Sequence, residues 1–162
     1  MRKINFQLYF MNIYLLNTTI EGKETLLLSI INPEIDTEAK LTAKAIVGFV
    51  LDTNKPISTE NVRLNPTFID HFHKTIVFFA QFNDGIIHLV EQQQNGFVYI
   101  NDLRNKAEKE VRKEDIIGSF EVKNGELIHN SYQPNRAYKM ITADGAFVLQ
   151  PELEALLYST AY

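Results

Sequence analysis

"NPTFIDHFHKTIVFF", residues 65–79, is the stretch on which the fold turns. It reads either as a helix that packs one apolar face or as a strand that aims two histidines at a metal. Asn65 followed by Pro66 favours the helix. Asparagine is a preferred N-cap, and proline at the first helical position loses nothing, because its missing N–H would have no intrahelical partner there. Phe68, Phe72, Ile76 and Phe79 then recur at helical spacing and define a core-facing stripe. Phe78 and Phe82 fall off that stripe, which predicts burial on a second side. The helix is expected to end near Asn83 to Gly85.

On a helix, His71 and His73 are rotated about 200° apart and cannot share one ion from a single face. A strand would point both the same way, yet no third ligand follows at an evident spacing. The sequence therefore predicts a packed core, with one or both histidines at a helix surface, no metal site and no cofactor.

Upstream, Ile4, Phe6, Leu8 and Phe10 alternate with Asn5, Gln7 and Tyr9, the period of a half-buried strand. The phase changes at Met11-Asn12, where a bulge or coverage of both faces is expected, and Ile13 and Leu15 continue on the new phase. "IEGKE" (20–24) supplies a turn. A second strand runs from Thr25 to Ile31 and stops at "NPEID" (32–36). "LTAKAIVGFVLD" (41–52) reads as a strand, in preference to a helix capped by Asp36, and the polar "DTNKPISTENVRLNP" (52–66) as a loop.

Downstream, two Asn-Gly pairs punctuate alternating segments. "IIHLVEQQQNGFVYI" (86–100) and "SFEVKNGELI" (119–128) each read as a hairpin, since Asn and Gly tolerate the positive φ of tight turns. A third hairpin is built on Asp144-Gly145. Pro151 opens a short C-terminal helix with Leu153, Leu156 and Leu157 on one face. The class is thus α+β: mainly antiparallel sheet with several hairpins, one central helix over about Pro66 to Phe82, and a short C-terminal helix. Residues 1–162 are expected to form a single domain. "RNKAEKEVRKED" (104–115) reads as a solvated loop or short helix within it, rather than a linker.

The chain has 16 basic and 20 acidic residues, a formal charge of -4 and no cysteine. The balance argues against nucleic acid or an anionic membrane as partner, and in "RNKAEKEVRKED" five basic residues are nearly cancelled by four acidic ones. Absence of cysteine excludes disulfides and thiolate sites, and fits a cytoplasmic setting. The N-terminal apolar stretch is interrupted by Asn5, Gln7 and Asn12, so neither export nor a membrane span is expected. Met11 is an alternative start to Met1.

No nucleophile elbow, P-loop, dinucleotide fingerprint or zinc-protease motif occurs. The most unusual polar cluster is "HNSYQPNRAYK" (129–139), where Tyr132, Arg136 and Tyr138 combine aromatic area with bidentate hydrogen bonding around Pro134. A turn joining two hairpins would look similar. The functional expectation is a non-enzymatic binding, adaptor or inhibitor-type protein from a bacterial cytoplasm, acting through a protein surface that includes those three residues, with a homo-oligomer as a further expected state. The alternative is a small enzyme or ligand binder with a pocket between helix and sheet, in which His71, His73 or His88 works with a carboxylate.

Overall fold

The computed structural model describes residues 6–7, 13–32, 41–142 and 145–161. The first half of the chain is an antiparallel meander. β1 (Phe6–Gln7), β2 (Tyr14–Ile20), β3 (Lys23–Ser29), β4 (Ile46–Val50) and β5 (Val62–Leu64) lie side by side in chain order. β2 and β3 join through Glu21 and Gly22, at φ 49° and 80°, the left-handed pair that matches the twist of the flanking strands. Of the strand expected over residues 4–10, Phe6–Gln7 is the described part. The break at Met11-Asn12 and the helix alternative after Asp36 lie outside the described residues. The strand expected over 41–52 is confined to β4, and the segment read as loop contains β5, whose Val62 is buried.

α1 (Pro66–Phe82) begins where the sequence requires. Asn65 Oδ1 accepts from the Thr67 N–H at 3.2 Å, and its Nδ2 donates to the carbonyls of Ala43 (2.8 Å) and Ile46 (2.9 Å). The cap thus also pins the helix to the start of β4. Phe68, Phe72, Ile76 and Phe79 are buried as a stripe, and Phe147 closes on Phe68 and Phe72 at ring distances of 6.0 and 5.4 Å. The second buried side expected from Phe78 and Phe82 is not found. They are 56% and 67% exposed and pack on each other at 5.0 Å, because β4 and the helical residues 84–93 and 151–159 cover other faces of the helix.

Asn83 ends α1, its N–H donating to Phe79 O at 3.0 Å, while its Oδ1 accepts from the Ile86 N–H at 3.1 Å and opens α2 (Asp84–Gln93). This corrects the hairpin expected over 86–100, whose first arm is helical. Ile86 and Val90 are buried and the residues between them exposed, a spacing of four rather than two. The second arm is β6 (Gly96–Asn101), which follows a helix end with Gln94 at φ 62°.

After a single 3-10 turn, Lys113–Asp115, β7 (Ile116–Lys123) pairs with β6 and turns through Asn124 and Gly125 into β8 (Glu126–Leu127), the hairpin expected there. β9 (Gln133–Pro134) also pairs with β7. β10 (Ile141–Thr142) and β11 (Gly145–Ala146) form the third hairpin. Its register, Thr142 opposite Gly145, moves the connection to residues 143–144, one position before the expected pair and outside the described residues. α3 (Pro151–Ser159) buries Leu153 and Leu157 and packs on α1.

The fold is α+β and mainly antiparallel, with three helices among the described residues where two were expected. One apolar cluster takes in residues of both larger sheets and all three helices. Among the described residues no helix is long and apolar enough to cross a membrane.

Candidate functional site

The charged stretch 104–115 is exposed from Lys106 to Lys113, but its two ends are anchored inside. Arg104 Nε donates to Asp115 Oδ1 at 2.7 Å, its Nη1 to Met140 O at 3.2 Å, and its Nη2 to the carbonyls of Glu114 (3.0 Å) and Lys139. Asn105 Nδ2 reaches the other Asp115 oxygen at 2.9 Å. Asp102 accepts at Oδ1 from the N–H groups of Arg104 and Val148, both at 3.0 Å, and at Oδ2 from the Tyr138 hydroxyl at 2.8 Å. Burial pushes the Asp102 carboxyl up, opposed by the Arg104 guanidinium and by those hydrogen bonds. The expected solvated loop is therefore a loop closed by a buried ion network.

That network fixes one end of the connection between β8 and β10. Tyr138, half-buried, stacks on Phe72 at 6.1 Å and lies beneath Arg104 at 5.7 Å. Burial, and next the Asp102 charge, hold its phenol well above the usual range. Tyr132 is also turned inward. Its hydroxyl is 2.7 Å from His73 Nδ1, its ring is 4.9 Å from Phe120, and it covers Gly118 so closely that a Cβ there would stand 2.5 Å from the phenol oxygen. Glycine at 118 is a requirement of this contact. Between the tyrosines, Asn135 Nδ2 donates to Lys113 O and Ile116 O, both at 2.8 Å, and Asn135 Oδ1 accepts from the Ala137 N–H at 3.1 Å.

Arg136 alone of the three expected binding residues turns outward. It is exposed and, among the described residues, makes no ion pair or side-chain hydrogen bond. It lines an open groove of about 560 Å³ on the outer face of the sheet formed by β6, β7 and β9. Tyr99, Ser119 and Gln133 stand opposite one another across the three strands, and Lys113 and Pro134 complete the walls. Among the described residues no carboxylate lines this groove. The two acids that follow Lys113 face elsewhere, Glu114 to Arg112 at 3.8 Å and Asp115 to Arg104.

Among the described residues the histidines lie apart from one another. His71 is buried, with Nε2 3.2 Å from Leu157 O, while His73 faces Tyr132 on the other side of α1. Burial lowers the His73 pKa, and Asp70 partly offsets this. His88 is exposed on α2 rather than held in a strand. Among the described residues no carboxylate lies within hydrogen-bond reach of a histidine, and no three metal-ligating side chains cluster.

No family model matches the chain, and no curated protein or solved structure matches it at a significant level. Sequence reading missed Tyr99, Lys113 and Ser119, which lie on three separate segments and meet only through strand pairing.

Proposed function

We propose that the protein is a non-enzymatic binding protein that engages a protein partner through the groove beside Arg136. The carrying observation is the contrast within one short connection. Tyr132, Asn135 and Tyr138 are committed to internal hydrogen bonds, which leaves Arg136 exposed and unpaired on a fixed frame. The hydrogen bonds of its neighbours fix the backbone that carries Arg136, while the guanidinium itself stays open to a partner, and arginine and tyrosine are both enriched at the energetic centres of interfaces. A cytoplasmic, bacterial adaptor or inhibitor fits the acidic, cysteine-free chain. A second copy of the chain is the other occupant to separate, and sedimentation does so.

The test compares wild type and Arg136→Ala as baits in lysate of the source organism, with denaturant midpoints measured alongside. A protein retained by wild type and lost from the equally stable variant supports the proposal. Equal retention by both removes Arg136 from the binding surface.

A further inference from the structure

We propose that the groove takes an extended acidic segment, placing a carboxylate between Arg136 and Lys113 and a neighbouring apolar or aromatic side chain against Tyr99. This rests on reading the face as a protein-binding surface and names the chemistry of what binds there.

Charge complementarity is the first argument. The chain carries a formal charge of -4, yet the described residues lining the groove include two cations and no carboxylate. Neither Lys113 nor Arg136 is neutralised by a described side chain. Both are exposed, so approach of an anion costs little desolvation, and the planar guanidinium can accept a carboxylate with two parallel hydrogen bonds.

Extent is the second. Tyr99, Ser119 and Gln133 form one row across three strands, a span of roughly 10 Å at ordinary strand spacing, with Arg136 beyond Pro134 at the far end. Ser119 and Gln133 also lack side-chain partners among the described residues. A free anion reaches only the cationic end and remains open to water. In an extended peptide, residues two apart are about 7 Å apart on one side, so one segment can touch the cations and Tyr99 together. The open shape agrees, since small-molecule sites enclose most of their ligand.

Nucleic acid offers the same mixture of anion and ring but needs a stripe of cations along its backbone. Here the next outward row of the sheet, two residues along each strand, pairs Phe97 with Glu121, so a carboxylate and not a further cation continues the face.

The experiment uses a fluorescein-labelled peptide alternating glutamate, glycine and tyrosine, followed by fluorescence anisotropy and by amide shifts of the isotopically labelled protein. Matched peptides carry glutamine or lysine in place of glutamate. Competitors are inorganic phosphate, free glutamate and a single-stranded oligonucleotide. The glutamate peptide should bind, the other two should not, and the shifts should centre on Tyr99, Ser119, Gln133 and Arg136. Arg136→Glu and Lys113→Glu should each weaken binding about tenfold with unchanged circular dichroism. No binding, equal binding of the glutamine peptide, or indifference to charge reversal overturns the proposal. So does tighter binding of the oligonucleotide, or of phosphate or glutamate alone. A photo-crosslinker at Gln133, used in lysate, separates the two claims. Capture of a protein without binding of the acidic peptide overturns the acidic chemistry alone, whereas absence of both overturns the binding surface as well.

Discussion

Tyr132 sets its hydroxyl 2.7 Å from Nδ1 of His73 and so ties the connection after β8 to the middle of α1. The contact is built around a neutral imidazole, because burial lowers the His73 pKa below its ordinary value near 6.5. The unfolded chain therefore takes up a proton that the folded chain resists. Stability from this pair should be complete above pH 6.5, fall as the pH drops through that value, and level off below the lowered folded pKa. His73→Gln removes this titration. Urea midpoints of the two proteins should converge as the pH falls from about 7.5 to 5. Parallel profiles would show that the ring is not held neutral.

Arg104 and Arg136 should behave oppositely. Arg104→Met keeps the aliphatic volume but strands the Asp102 and Asp115 carboxylates inside, a loss of about 3–5 kcal/mol. Arg136→Ala should change stability by no more than about 0.5 kcal/mol, as for a surface side chain without structural partners. Denaturant titration checks both. A large loss from Arg136→Ala would make it a structural residue and withdraw the main support for the binding surface.

Gly118→Ala puts a methyl group into the space of the Tyr132 ring and should cost about 1–3 kcal/mol. The cost should shrink in a Tyr132→Ala background, giving a coupling of about 1 kcal/mol in the double-mutant cycle. Additive effects would mean that the glycine is required by something other than the ring.

Asn65 serves the helix and the sheet through different atoms. Asn65→Ala should cost about 2 kcal/mol. Asn65→Asp retains the acceptor for the Thr67 N–H but lacks the donor to Ala43 and Ile46 carbonyls, so it should also destabilise. A neutral Asn65→Asp in thermal melts would assign the whole effect to the helix cap.

What was legible in the sequence was local. The Asn65-Pro66 start, the Phe68–Phe79 stripe and the Asn124-Gly125 turn are decided by neighbours within a few residues. α2 was misread because "IIHLVE" is a short apolar run whose two buried members, Ile86 and Val90, fit a helix once Asn83 is seen as a cap for it. The buried network was invisible for another reason. Asp102, Arg104, Asp115 and Tyr138 look like surface composition until distant segments bring each charge its partners. The groove is similar, since strand pairing unites Tyr99, Ser119 and Gln133, and only Arg136 stood out by residue type.

Arg104 and Asp115 clasp the base of the exposed segment between them, so everything from Lys106 to Val111 hangs from a fastened ring. Enlarging such a ring is inexpensive, because closure entropy grows only logarithmically, by about 0.6 kcal/mol for each doubling of length. Added residues here would lengthen a handle without pulling on the sheet beneath it. An inserted epitope or fluorescent reporter here should leave the fold's stability unchanged, and placing it toward Lys106 keeps it farthest along the chain from Lys113 in the groove wall.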